Sequence, residues 1–341
     1  MEPEILARVI RGDTVESVHR GHLVAIDRDG SVLIEAGDAR AVTYLRSVAK
    51  PFQAIPFITS GAADAFGFTD DEIALACASH SGEHVHVETC ARMLEKTGLT
   101  EGDLQCGEHL PFDERETERL LRANEQVTQL QNNCSGKHAA MLAFSRHIDA
   151  DIRGYLKCGH PVQRAILDAV AMFCELPRDK IAIGIDGCCA PNFAVPLDAM
   201  ARGFLNLIAP RADFSDDVTH SAANRVINAM LNNPELIGGT DRLDTILMKA
   251  ARGKFISKVG ADGVWLCGIL PSDQFPKGAA IALKIEDGDD KRARPVVSVS
   301  TLKRIGVLAY DALPELSPMS LRDRQGDTVG RVEAVLDGET K

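Results

Sequence analysis

The chain has 341 residues, 45% of them hydrophobic and 26% charged, which is globular composition and excludes collagen, coiled coil and intrinsic disorder. Its 38 basic and 49 acidic side chains give a formal charge of −11, which repels phosphate backbones and anionic membrane surfaces, so neither a nucleic-acid nor a membrane partner is expected. Nine cysteines with no basic-then-apolar leader ahead of them point to free thiols in a reducing cytoplasm. Apolar runs such as residues 73–78 and 169–174 fall far short of the roughly 18 residues of a membrane span.

In chain order, residues 6–10, 22–26 and 31–35 read as short antiparallel strands, the last two joined at Asp29-Gly30. A helix is expected over 47–59, stopping at Ser60-Gly61, with Pro51 and Pro56 set to kink or break it. Thr69-Asp70-Asp71-Glu72 is a capping box for a helix over 73–77. Further helices are expected over 83–96, closed by Gly98, and over 137–147 and 161–174. A buried strand over 181–185 precedes three helices over 197–207, 218–231 and 242–252. Strand character returns at 255–257, 263–270 and 279–285. The charged run 287–294 reads as a solvated turn, and 295–313 as a final helix despite its β-branched start. No repeat and no Pro/Gly linker divides the chain. The expectation is therefore one α/β (α+β) domain over 1–341: a mainly antiparallel sheet from both chain ends, about 5–36 and 255–313, with a helical body, about 47–252, inserted between them.

Several groups of residues could carry chemistry. Ser47-Val48-Ala49-Lys50 places a hydroxyl and an ammonium at i and i+3, on one helical face. A serine nucleophile needs a base beside it, and lysine serves when burial or a nearby cation lowers its pKa. Arg46 is such a cation, and a helix N-terminus would aim N–H groups at an oxyanion. The same pattern also arises by chance on surface helices. Lys258-Val259-Gly260 follows an expected strand, as the K-T-G of penicillin-binding enzymes follows their S-x-x-K, or is a plain strand-end lysine. Ser79-His80-Ser81 offers a second hydroxyl, or simply caps a helix.

His80-Ser81-Gly82-Glu83-His84 is a literal H-x-x-E-H and supports a rival reading, a zinc-dependent peptidase or amidase with Glu83 as base. That chemistry needs both histidines on one helical face, which Gly82 opposes at about 1 kcal/mol against alanine. His86 and His109 read as satisfied polar residues. Cys134 and Lys137 are three apart, and Asp186-Gly187-Cys188-Cys189 closes the expected buried strand, where ligand sites are common. A thiolate pair could hold Zn²⁺, although lysine must first lose its proton. Buried free cysteines, or a non-catalytic thiol-based redox or metal sensor, are the other readings. On extended backbone Cys188 and Cys189 would point to opposite faces.

Taken together, Arg46-Ser47-Val48-Ala49-Lys50-Pro51, residues 77–83, residues 133–138, Asp186-Gly187-Cys188 and Ser257-Lys258-Val259-Gly260 resemble, in order, the motifs of the Rhizobium etli-type L-asparaginases. The resemblance runs from about residue 8 to 335. It implies a fold related to the serine β-lactamases and penicillin-binding proteins, a homodimer, and hydrolysis of L-asparagine to L-aspartate and ammonia. It implies Ser47 as nucleophile with Lys50 as its partner, and Ser79 with Lys258 as a second Ser–Lys pair. It implies Cys134, Lys137 and Cys188 as a zinc site beside the substrate, with zinc not the source of an attacking water and no organic cofactor. Cys189 is an extra thiol where a small residue is expected. Asp186 is expected to pair with the substrate ammonium. Arg46 and His138 are expected at its α-carboxylate, Arg46 because its fork matches a carboxylate.

Overall fold

The structure is a computed structural model that describes residues 2–211 and 213–336. Its strands are β1 (Glu4–Arg11), β2 (Thr14–Asp27), β3 (Val32–Ala36), β4 (Val42–Tyr44), β5 (Ala182–Ile185), β6 (Pro191–Pro196), β7 (Phe255–Gly260), β8 (Val264–Ile269), β9 (Ala279–Ile285), β10 (Met319–Arg322) and β11 (Thr328–Ala334). Its α-helices are α1 (Lys50–Thr59), α2 (Ala62–Ala65), α3 (Asp70–Ala76), α4 (His84–Lys96), α5 (Glu114–Ala123), α6 (Ser135–His147), α7 (Pro161–Phe173), α8 (Leu197–Ile208), α9 (Asp217–Asn232), α10 (Pro234–Ile237), α11 (Leu243–Ala250) and α12 (Ala293–Arg304). The chain forms two compact units. One holds the described residues up to Val48, Val195–Leu205 and those from Leu247 on; the other holds Ala49–Ala194 and Asn206–Ile246.

The first unit is built on an eight-stranded antiparallel sheet in the order β10-β11-β1-β2-β9-β8-β7, with β3 hairpinned onto β2. The sheet does come from both chain ends. Nearly every residue of β7, β8 and β9 is buried, and their sequences are largely apolar apart from Ser257 and Lys258 in β7 and Lys284 in β9. Helix α12 lies against β1, β8, β9 and β11. The turn at Asp29-Gly30 is held by the Asp27 carboxylate, which accepts from the Asp29 and Ser31 N–H groups at 2.9 Å each.

Three expectations need correction here. The helix expected over 295–313 ends at Arg304, where Val307 N–H turns back to Leu302 O at 2.9 Å. Strands β10 and β11 then complete the sheet; they lie largely at the surface, with Val332 their buried residue, so they carry little apolar alternation. The charged run 287–294 is a solvated turn only in part, since its last two residues are buried and open α12. Asp289 caps α12 through the N–H groups of Arg292 (2.7 Å) and Ala293, and Arg294 is buried, donating to Gly260 O at 2.8 Å and to Asp290.

The second unit is helical. Its helix α1 continues unbroken through Pro51 and Pro56, where a kink or a break was expected, and buries every residue from Lys50 to Ile58. The Thr69–Glu72 capping box forms as expected, with the Thr69 N–H donating to Glu72 Oε2 at 2.8 Å. Helix α5 escaped sequence reading because ERETERLLRA is mostly charged and buries only Glu116 and Leu120. Strand β5 is not buried as expected; Ala182, Ile183 and Ile185 are exposed, and it is the antiparallel neighbour β6 that is buried. Among the described residues no helix is long and apolar enough to cross a membrane.

Glu72 ties α3 to α4. It has no exposed surface, and it accepts from Lys96 Nζ at 2.7 Å and Arg92 Nε at 2.9 Å. Burial pushes its carboxyl up, but hydrogen bonds from Lys96, the Thr69 N–H and Arg92 outweigh burial and hold it below the usual range. A depressed folded-state pKa gives stability that is present above the unfolded value of about 4.3 and lost as pH falls through the lower folded value. In urea unfolding, Glu72→Gln should therefore lose about 2 kcal/mol near pH 7, and the gap to the parent should shrink toward about pH 3. An equal gap at both pH values would contradict the ionic network.

Candidate active site

In the first unit, Ser47 is buried on a 3₁₀ turn, Arg46–Ala49, that leads directly into α1. Arg46 opens that turn at φ +51°, a left-handed conformation that costs a non-glycine residue about 1–2 kcal/mol and is concentrated at functional sites. Its guanidinium is ion-paired with Asp262 in the β7–β8 turn. The turn packs on the end of β7 because residue 260 is glycine. A Cβ there would lie 2.9 Å from Leu45 O and 3.2 Å from Val48 Cγ1. Two residues earlier on the same strand, Lys258 is fully buried, with Nζ donating to Val259 O at 3.0 Å. Ser257 beside it accepts from the buried Trp265 Nε1 at 2.9 Å.

In the second unit, Lys50 is the first residue of α1 and is almost wholly buried. Its ammonium donates to Ala78 O, to Ser79 Oγ at 3.0 Å and to Asn133 O at 3.3 Å. The structure thus brings Lys50 and Ser79 together, and adds two backbone carbonyls that no sequence pattern announces.

The H-x-x-E-H reading fails on geometry. Gly82 has φ +77°, and α4 begins only at His84, so the two histidines do not share a helical face. His80 is buried; its Nδ1 accepts from the Gly82 N–H at 3.2 Å, which leaves the proton on Nε2, 2.9 Å from Ser135 Oγ. Burial, then the neighbouring His86 and Lys50, keep its pKa well below the ordinary histidine value. His84 instead points to solvent and pairs with Glu88 at 3.0 Å. His86 and His109 hydrogen-bond Glu235 O and the Asn133 N–H, each at 3.0 Å. Among the described residues, no group of three or more His, Cys, Asp or Glu side chains is placed to hold a metal ion.

Cys134, Lys137 and Cys188 do meet in the buried interior of the helical unit. Lys137 Nζ lies 3.0 Å from Cys188 Sγ. The hydrogen bond from Cys134 lowers the Cys188 pKa far below the ordinary thiol value, against burial and with help from the Lys137 ammonium. The same contact and burial push Cys134 up. Burial disfavours the Lys137 ammonium, but the Cys188 thiolate outweighs it and raises the Lys137 pKa. The cluster is thus a thiolate, an ammonium and a thiol. Two sulfurs and one nitrogen are donors that fit zinc, provided that Cys134 and Lys137 give up their protons.

Helix α6 also presents His138, which has no exposed surface. The Tyr155 hydroxyl accepts from the Gln105 N–H at 3.1 Å and so donates its own proton to His138 Nδ1 at 2.7 Å. Burial lowers the His138 pKa, and the neutral ring carries its proton on Nε2. Tyr155 was missed in the sequence because a lone tyrosine in a loop gives no signal. Asp186 is half-buried, its carboxylate accepting from the Gly187 N–H at 2.8 Å. Cys188 is buried and Cys189 exposed, but a turn with Cys189 at φ +68° separates them, not extended backbone.

The sequence model of the L-asparaginase II family matches residues 7–334. That match defines the protein as an amidohydrolase. The chain belongs to the L-asparaginase II family. A comparison with curated proteins gives no match. Among solved structures, a probable glutaminase from Bacillus subtilis complexed with 6-diazo-5-oxo-L-norleucine is 13% identical over 84% of this chain and 83% of that one, with TM-score 0.41. A β-lactamase from Burkholderia ambifaria is 13% identical over 83% of this chain and 92% of that one, with TM-score 0.38. At these scores neither likeness bears on the reading of this site.

Because His84 is largely exposed and pairs with solvent-facing Glu88, His84→Ala should leave amide hydrolysis within about twofold of the parent and stability within about 0.5 kcal/mol. A loss of two or more orders of magnitude in turnover would restore the H-x-x-E-H reading.

Proposed function

We propose that the protein hydrolyses L-asparagine to L-aspartate and ammonia through a β-aspartyl ester on Ser47. The observation that carries this reading is the buried Lys50 ammonium bonded to Ser79, three residues after a buried serine on a strained turn. Membership of the L-asparaginase II family supports an amide substrate. Ser47 gives its proton to the unprotonated form of the Ser–Lys network, Lys50 with Ser79 or Lys258, as its Oγ bonds to the side-chain amide carbon. Backbone N–H groups stabilise the oxyanion. The C–N bond then breaks as the network returns that proton to the departing ammonia. Water, giving its proton to the same network, hydrolyses the ester, and Ser47 regains its hydrogen.

Asp186 is proposed for the substrate ammonium and Arg46 for its carboxylate, the latter exchanging Asp262 for substrate. His138 at that carboxylate would require substrate to reach a side chain with no exposed surface; its bond to Tyr155 favours an orienting role beside Cys188. Cys134, Lys137 and Cys188 would hold zinc, which when bound supplies a positive charge near the substrate. The family resemblance supports a cytoplasmic homodimer.

Ammonia release from L-asparagine by the purified chain tests the proposal. Ser47→Ala should lower kcat by on the order of 10⁴-fold or more, and chelation should leave kcat in place while weakening KM. Release from L-glutamine and none from L-asparagine would reject the substrate, and full activity in Ser47→Ala would reject the nucleophile.

A further inference from the structure

Residues 77–83 join α3 to α4 without regular secondary structure, so tertiary contacts alone set the position of the Ser79 hydroxyl. Beside the Lys50 bonds to Ala78 O and Ser79 Oγ and the His80 bond to Ser135 Oγ, several of those contacts come from residues 235–242, which run through α10 and the turn after it. The Ser79 N–H donates to Ile237 O at 2.9 Å. Four residues on, the Glu83 carboxylate accepts from the Ser81 hydroxyl at 2.8 Å, the Thr240 N–H at 2.7 Å and the Thr240 hydroxyl at 2.9 Å. Three donors on one half-buried carboxylate are more than a helix start needs, and Glu83 makes no side-chain cap bond to α4. His86, in the first turn of α4, reaches Glu235 O at 3.0 Å. From the other side, the Asp113 N–H donates to Ser81 O at 3.0 Å.

Gly239 makes this approach feasible. It sits at φ +118°, and a Cβ there would collide with Ser81 Oγ and stand 2.6 Å from Glu83 Oε1 and 2.8 Å from Ser81 Cβ. The backbone of 238–240 therefore lies directly on the segment that carries Ser79.

We propose that residues 237–240 form a clamp that positions Ser79, with Glu83, Thr240 and Gly239 as positioning residues for the hydrolysis. The inference rests on the reading of Ser79 as part of the reaction. It gives Glu83 a role other than the metal-assisted base its sequence motif suggests. None of the three touches the reacting atoms; they act through the placement of one hydroxyl against Lys50. A displacement near 1 Å of such a group costs on the order of 10²-fold in rate.

The test is steady-state hydrolysis of L-asparagine by Thr240→Val, Thr240→Ser, Gly239→Ala and Ser79→Ala, each at a temperature well below its own thermal midpoint. Thr240→Val and Gly239→Ala should lose on the order of 10²-fold in kcat with KM changed by less than about threefold, and Thr240→Ser should recover most of the loss. A purely structural role would instead lower the midpoint without this split between kcat and KM. If Gly239→Ala fails to fold, the Thr240 pair still decides the matter. Wild-type kcat in Thr240→Val beside an inactive Ser79→Ala would overturn the clamp and leave the role of Ser79 standing. Equal losses in Thr240→Val and Thr240→Ser would also contradict it. A fully active Ser79→Ala, or a parent that releases no ammonia, would overturn the underlying reading and the clamp with it.

Discussion

The helical unit depends on a cation that water barely reaches, the Lys50 ammonium. Removing an ammonium from water costs several kcal/mol unless every proton finds an acceptor. Lys50 finds three, Ala78 O, Ser79 Oγ and Asn133 O, and none is a carboxylate. They come from the irregular stretch after α3 and the approach to α6, so one side chain ties together two parts of the chain. The position runs against local electrostatics as well. Lys50 opens α1, where the helix dipole disfavours positive charge. Natural sequences break such local rules mainly where function demands it, and under the proposed mechanism the demand is a lysine held on a serine hydroxyl.

The sheet unit solves a related problem by different means. Lys258 lies on a strand buried along its whole length. Gly260 at the end of that strand lets the Leu45–Val48 backbone close over it, which brings the Ser47 turn to within two residues of Lys258 along β7. Strands β1 to β3 come from one chain end and β7 to β11 from the other, so this closure needs contacts across almost the full sequence. Such long-range pairing is slow to form, and the near-complete burial of β7, β8 and β9 is the compensation.

What could be read from the sequence followed from what was buried. Helices with apolar faces and clear caps, such as α3 behind Thr69–Glu72 and α7 behind Pro161, stood out. So did β9, buried over its full length apart from a half-buried Lys284. The first half of β2, strands β10 and β11 and helix α5 did not, because they are largely exposed or charged and so carry little apolar patterning. Candidate site residues with side-chain signatures, Ser47, Lys50, Ser79, Cys134, Lys137, Cys188 and Lys258, could be named in advance. Partners that act through backbone carbonyls could not, and neither could Tyr155 or Thr240, whose roles exist only in three dimensions. His80-x-x-Glu83-His84 shows the opposite failure: a complete motif whose geometry one left-handed glycine dissolves.

The central claim is that Ser47 carries the acyl group. Rapid acid quenching of the enzyme during turnover of L-asparagine, followed by peptide mass spectrometry, would locate any ester directly. The account predicts a β-aspartyl adduct on the peptide bearing Ser47, discharged by water as the chase proceeds. An adduct on Ser79 with none on Ser47 would contradict it.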